Sequence, residues 1–291
     1  MVKPSKSFGL RSTERQRALG LIKHLSHRDV SSQYKRTALG RLWSLLNPLA
    51  MIAIYSLIFG VIFQGQVRPG IRSGMESFAL WIAIGVIAWG FFSRSLTGTM
   101  NSLIYNQSLL TKVYFPRIVL PVSTVVSNTI NHIPEVIVLV IVVMFASGPN
   151  VLVLLPALVG AVLMTGGFAL GVGMALSIAV IYFRDLEHLW GIVSQAWMFA
   201  SGVVFPIYIL EDVQQRLFEQ GVAIMGQPIP LLTIFQFNPA YTFLELYRNI
   251  LYDMTWPSWQ LWSAALGWVV AAVALGLFVF RKHSARIVEE L

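Results

Sequence analysis

Six stretches of this chain run for roughly 20 residues or more with almost no charge, and hydrocarbon permits few backbone solutions for such runs. A bilayer core about 30 Å thick takes roughly 20 apolar residues of helix, with every N–H and C=O paired inside the segment. The candidate spans are residues 43–63, 77–97, 119–145, 151–181, 189–209 and 259–280. The second has the shortest apolar core, Phe78 to Phe92, and the fourth is long enough to tilt. Composition agrees with this reading. Only 12% of the 291 residues are charged and 56% are hydrophobic, whereas soluble domains carry about 25% charged residues. That is too little polarity to clothe a soluble enzyme. The absence of cysteine excludes a disulfide-stapled secreted scaffold, and the low polarity excludes a disordered chain. No cleavable signal peptide is expected, because the first 41 residues are polar and basic and the first apolar run starts near Trp43.

A net charge of +8 would suit a nucleic-acid binder, but the cations sit in the head, the tail and short loops. With the amino terminus inside, residues 1–41 hold ten Lys and Arg. The 98–118 loop holds two, with Arg94 at its edge as a third. Arg184 lies in the 182–188 loop, and the 281–291 tail holds three. Only Arg68, Arg72, Arg216 and Arg248 fall outside. This bias places both termini in the cytoplasm and sets nucleic acid aside.

The head, residues 1–42, carries an expected helix over 14–40. Val30, Tyr34 and Ala38 recur at i, i+4 and i+8 among Arg15, Arg17, Lys23, Arg28, Lys35 and Arg36. Such a helix lies in the inner interface, and Gly40 can end it. A plain topology-setting head would explain the charge but not the stripe. Residues 43–291 form the membrane domain. Within it, the outer 210–258 stretch is too apolar for a loop, and residues 241–251 read as a short amphipathic helix behind Pro239. Two short re-entrant helices are expected here, shielded by protein; a surface-lying amphipathic pair with no gating role is the competing reading. The expected fold class is thus all-α: a polytopic membrane protein with six transmembrane helices, an amphipathic interface helix, and two re-entrant outer helices before the last span.

Catalytic chemistry has no foothold in the sequence. There is no G-x-x-x-x-G-K-[ST] and no H-E-x-x-H. His24 and His27 are three apart but have no third ligand nearby, so no metal site, cofactor or catalytic residue is expected. Glu135 is the only acidic residue well inside a span, accompanied by Asn128, Asn131, His132 and Pro134. A charge there costs about 2.5–3.5 kcal/mol. The set either faces a conduit or partner helix, or forms a packing network; a proton relay lacks a second intramembrane carboxylate. Tyr55, Phe59, Trp89 and Trp197 are candidates to line a sugar path by stacking, although aromatic belts explain many such residues. Gly167 and Gly171 form a G-x-x-x-G in the fourth span, which permits close helix approach to some partner.

Residues 28–43, R-D-V-S-S-Q-Y-K-R-T-A-L-G-R-L-W, followed by Asn47 and Pro48, resemble the entry segment of type-2 ABC-transporter permeases. The closest class is the polysaccharide exporters, serving O-antigen, teichoic acid, capsule and galactan. Residues 110–121 (L-T-K-V-Y-F-P-R-I-V-L-P), 182–186 (Y-F-R-D-L) and 238–241 (N-P-A-Y, leading to Arg248) match in the same order. Asn47 departs from the commoner glutamine. The resemblance implies a homodimeric channel with two separate ATP-binding ABC subunits. ATP and Mg would then sit on those partners, and none in this chain. It implies ATPase-coupling roles for Arg28, Asp29, Tyr34, Lys35, Arg36, Arg184 and Asp185. It implies a cytoplasmic gate at Leu110, Thr111, Lys112, Tyr114, Phe115, Pro116 and Arg117, and an outer gate at Asn238, Pro239, Tyr241 and Arg248. The implied cargo is a polysaccharide on polyprenyl pyrophosphate, moved across a bacterial plasma (inner) membrane. A drug or simple-lipid exporter of the same family is the alternative, and an integral-membrane transferase a more distant one.

Overall fold

The computed structural model describes residues 12–33, 39–62, 67–112, 115–220, 222–224 and 227–284. Among these residues the regular structure is helical, apart from a two-residue antiparallel ladder pairing Ala223–Ile224 with Gln227–Pro228. The head helix is α1 (Ser12–Gln33). Next come α2 (Trp43–Tyr55), continued by a wider turn over Ser56–Ile62, then α3 (Phe78–Tyr105) and the short α4 (Gln107–Lys112). The rest are α5 (Val119–Ser147), α6 (Leu155–Tyr182), α7 (Leu186–Ala200), α8 (Tyr208–Glu219), α9 (Leu231–Gln236), α10 (Pro239–Leu251) and α11 (Trp259–His283).

Among the described residues, five helices are long and apolar enough to cross a bilayer: Trp43–Ile62, Phe78–Tyr105, Val119–Ser147, Pro149–Tyr182 and Trp259–His283. The sixth expected span, 189–209, is not one helix. Its helix α7 has 15 residues, about 22 Å at 1.5 Å per residue, which falls short of the hydrocarbon thickness. Gly202 turns the chain with a positive φ of 66°, a conformation that favours glycine. Pro206 lacks the N–H that a helix would need. Residues 201–207 then lead into α8.

The helix ends sort into two groups. At one end, Leu25 of α1, Leu103, Leu110, Leu120, Met174, Ile181 and Phe280 share a small core. This gathers the ends of α3, α6 and α11, the start of α5, and α4. At the other end, the 67–77 loop caps the bundle. Arg72 N–H donates to Asp253 O at 2.9 Å, Ser73 hydroxyl donates to Tyr252 O, and the Tyr252 hydroxyl donates to Met75 O at 2.6 Å. Burial raises the Asp253 carboxyl above its ordinary range, against the opposing pull of the Ile71 N–H and Arg248.

Helix α3 runs through the centre, with Ile82, Ile84, Phe91, Leu96 and Met100 fully buried. It extends eight residues past its expected end, so Arg94 lies within the helix rather than at a loop edge. Helices α6 and α11 cross where a Cβ on Gly171 would land on backbone atoms of Ala272 and Val273, and one on Gly276 would land on Gly171. The partner of the expected G-x-x-x-G is therefore α11. Gly173, by contrast, faces Thr99 of α3.

Large apolar side chains cover the outside. On α5, Ile130, Ile133, Ile137, Ile141 and Phe145 are exposed, and so are Leu45, Leu49 and Ile54 on α2 and Val61 in the wider turn that continues it. A water-facing surface rarely carries apolar patches of that extent; hydrocarbon or a partner helix does not penalise them. The head helix departs from a simple surface-lying position, because it packs along the first half of α5. Ser26 hydroxyl donates to Ser123 O at 3.0 Å, and Asn131 Nδ2 donates to Gln33 Oε1 at 2.6 Å. Tyr34, Lys35, Arg36 and Ala38 lie outside the described residues.

Candidate functional site

The stretch expected to hold a re-entrant pair forms the short helices α8, α9 and α10, and α10 packs at the interruption of α7. Ending a helix at Ala200 frees carbonyls that hydrocarbon cannot satisfy. Asn238 and Arg248 supply the donors. Asn238 Nδ2 donates to Ala200 O (2.9 Å) and to Ser201 Oγ (3.1 Å), while its Oδ1 accepts from Trp197 Nε1 (2.8 Å) and caps α10 at Ala240 N–H (3.0 Å). Pro239 follows at the first helical position, where a missing N–H costs nothing. Ten residues on, Arg248 is only 3% exposed. Its Nη2 donates to Gly202 O (2.8 Å) and Val203 O (3.0 Å), its Cζ lies 3.4 Å from the centroid of the Trp81 ring, and Glu245 is 3.6 Å from Nη1. Gly85 leaves room for it, since a Cβ there would stand 2.8 Å from the guanidinium. Arg248, counted from sequence as an outer-loop cation, is thus an interior residue that closes the α7 break. Tyr241, the remaining outer-gate candidate, is half-buried on the same helix.

A second polar chain joins α3, α5 and α10. Arg94 Nη2 donates to both Glu135 oxygens, at 2.9 and 2.7 Å. His132 Nδ1 stands 2.7 Å from Glu135 Oε2, and its Nε2 stands 3.3 Å from the Tyr247 hydroxyl. In the neutral tautomer that satisfies both contacts, Nδ1–H donates to the carboxylate and Nε2 accepts from the Tyr247 hydroxyl. His132 also stacks on Phe91 with ring centroids 4.4 Å apart. Glu135 is therefore paired, and of the two readings left by the sequence the structure favours the packing network. Arg94 and Tyr247 were missed. The available signal was that Arg94 and Glu135 are lone opposite charges on consecutive spans.

At the basic end, Arg28 donates to Asp29 Oδ1 from Nε and Nη2 (3.0 and 2.9 Å) and to Asn106 Oδ1 at 3.1 Å. It thereby ties α1 to the α3–α4 turn. Glu187 accepts from Asn101 Nδ2 (2.8 Å) and from the Tyr105 hydroxyl (3.2 Å), tying the start of α7 to the end of α3. Arg184 and Asp185 are exposed on the turn before α7 and form no ion pair with each other. Of the gate candidates, Leu110 is buried, Phe115 and Arg117 are half-buried, and Thr111, Lys112 and Pro116 are exposed; Tyr114 lies outside the described residues.

The four aromatic candidates do not come together. Trp89 and Trp197 pack edge-on at 6.2 Å inside the bundle, beside Phe92 and Trp190. Tyr55 and Phe59 stack on each other at 6.0 Å, with Phe59 against Phe78. Among the described residues no group of three His, Cys, Asp or Glu is placed to hold a metal.

The family model described as ABC-2 type transporter matches residues 20–219. The chain belongs to the ABC-2 type transporter family. It is a multi-pass membrane permease rather than an enzyme of the usual kind. This permease is similar to the O-antigen export system permease protein RfbA of Myxococcus xanthus, at 27% identity over 91% of this chain and 93% of that one. An RfbA of Klebsiella pneumoniae is 24% identical over 93% and 95% of the two chains. The polysialic acid transport protein KpsM of Escherichia coli is 24% identical over 64% and 70%.

Proposed function

We propose that this permease is the membrane subunit of an ATP-driven exporter that moves a lipid-linked polysaccharide across a bacterial inner membrane. The observation that carries the reading is end-to-end similarity to proteins named for O-antigen export, over nine-tenths of both chains. Two copies of the chain would form the conduit, and two separate ABC ATPase subunits would energise it, holding the ATP and Mg. The lack of a P-loop in this sequence fits that division. The end that gathers α1, α4 and the 183–185 turn is the cytoplasmic one, because Lys and Arg concentrate in the segments that reach it. Both termini then lie inside, and residues 201–207 complete the crossing that α7 starts.

The hydrogen bonds at that end support a coupling role for Arg28, Asp29, Arg184 and Asp185. A push on α1 reaches α3 through Arg28 and Asn106, and a push on the 183–185 turn reaches it through Glu187. Tyr34, Lys35 and Arg36 would act on the same side. Lys112 and Arg117 would attract the pyrophosphate, and the α9–α10 pair would close the outer side. Deleting the gene should abolish the surface glycan and leave its lipid-linked precursor on the cytoplasmic face. An unaltered surface glycan, with a changed drug or lipid efflux, would favour another cargo.

A further inference from the structure

A groove of about 820 Å³ runs between α1 and α5, on the face of α5 turned away from the interior. Its floor is Val126, Ile130 and Pro134, spaced i, i+4, i+8 and so sharing one stripe of the helix. The opposite stripe, with Val125 and His132, is buried against the bundle. Leu19 and Ile22 form the α1 wall, and Lys23, His24 and His27, all exposed, form the polar rim. Among the described residues no acidic side chain lines it. Ser44 of α2 also lines it, and beyond the floor Ile133 and Ile137 are exposed on α5, so the groove borders an apolar surface that suits hydrocarbon. Both α1 ties to α5, Ser26 to Ser123 and Gln33 to Asn131, border it.

We propose that this groove binds one anionic phospholipid of the leaflet at the basic end. An acyl chain lies on Val126, Ile130 and Pro134, and the phosphate meets the Lys23 ammonium and imidazole N–H groups of His24 and His27. Charge complementarity selects the anion, since a fixed cation with no acidic neighbour in the lining attracts a negative headgroup in the interfacial field. The bordering apolar surface selects a membrane lipid over a soluble ligand. Separation from the Trp89–Trp197 interior by the whole width of α5 sets this lipid apart from a transported one. The lipid would add to the packing of α1 against α5, so the position of the head helix would depend on leaflet composition.

The inference needs only a membrane-embedded chain and not a particular cargo. The test is native mass spectrometry of the purified full-length permease, equilibrated with an equimolar mixture of phosphatidylglycerol and phosphatidylcholine of identical chains. The wild type should retain phosphatidylglycerol preferentially. The variant Lys23→Gln/His24→Gln/His27→Gln should lose that preference by about fivefold or more, the effect of one interfacial cation. Ile130→Trp, which fills the floor, should lower retention of both lipids. Equal retention of the two lipids by the wild type, or a preference unchanged in the triple variant, would overturn the site. So would a polyprenyl phosphate that displaces phosphatidylglycerol and is itself lost from the triple variant, because the groove would then belong to the cargo. Lost glycan export with intact phosphatidylglycerol retention would bear on the cargo reading alone.

Discussion

Arg94 and Glu135 would each be unfavourable alone at this depth, and each satisfies the other through two short bonds. Glu135→Gln should lower stability by about 1–3 kcal/mol, the loss expected when a hydrogen-bonded charge is left without its counterpart. Arg94→Met should do the same, and the double variant should recover much of the loss. Thermal unfolding in one detergent, analysed as a double-mutant cycle, checks this; strictly additive losses would contradict it. Arg248 makes a different kind of bond, to backbone carbonyls freed by a helix break. Arg248→Lys keeps the charge but loses the planar fork. It should still cost about 2–3 kcal/mol on the same scale of charged hydrogen bonds, with fluorescence of Trp81 reporting the local change. Of these residues, Glu135 and His132 stood out in the sequence because polar groups in an apolar run are visible there, and Arg248 stood out through the resemblance. Their partners did not, since Arg94 is 41 residues from Glu135 and Gly202 is 46 from Arg248. Only the tertiary fold states those distances.

Helices were legible to the extent that their signal is local. Apolar runs located α2, α3, α5, α6 and α11, and the G-x-x-x-G correctly announced a close crossing. Gly171→Leu should push α11 away from α6 and destabilise the bundle by about 1–3 kcal/mol, as overpacking does. Gly167→Leu, which meets only the flexible end of Val269, should have a smaller effect. Melting temperatures of the two variants in one detergent check the ranking, and equal losses would contradict it. Helix α7 was not legible as a broken span. Average hydropathy over 189–209 does not register that Gly202 and Pro206 end the helix, nor that Asn238 and Arg248 make such an end tolerable. A helix in the head was legible over 14–33, although two of the three stripe residues, Tyr34 and Ala38, lie outside the described residues; its packing along α5 uses Ser26 and Gln33, polar residues that an apolar-stripe argument passes over.

At the scale of the whole molecule, two groups of helix ends define two sides, and the proposed orientation, argued from the charge bias, puts the basic one in the cytoplasm. The natural sequence has no cysteine, so single cysteines can report sidedness without background. Arg72→Cys and Asn150→Cys should react with an impermeant maleimide added to intact spheroplasts. Ser108→Cys and His188→Cys should react only after permeabilisation, and labelling of His188→Cys from outside would reverse the topology. The central claim is that this chain is a conduit driven by another protein's ATP hydrolysis. Its most direct test is glycolipid transport in proteoliposomes containing the permease with or without its cognate ATPase. The account predicts ATP-dependent transport only when both are present, and no nucleotide turnover by the permease alone. Transport or ATP hydrolysis by the isolated permease would contradict it.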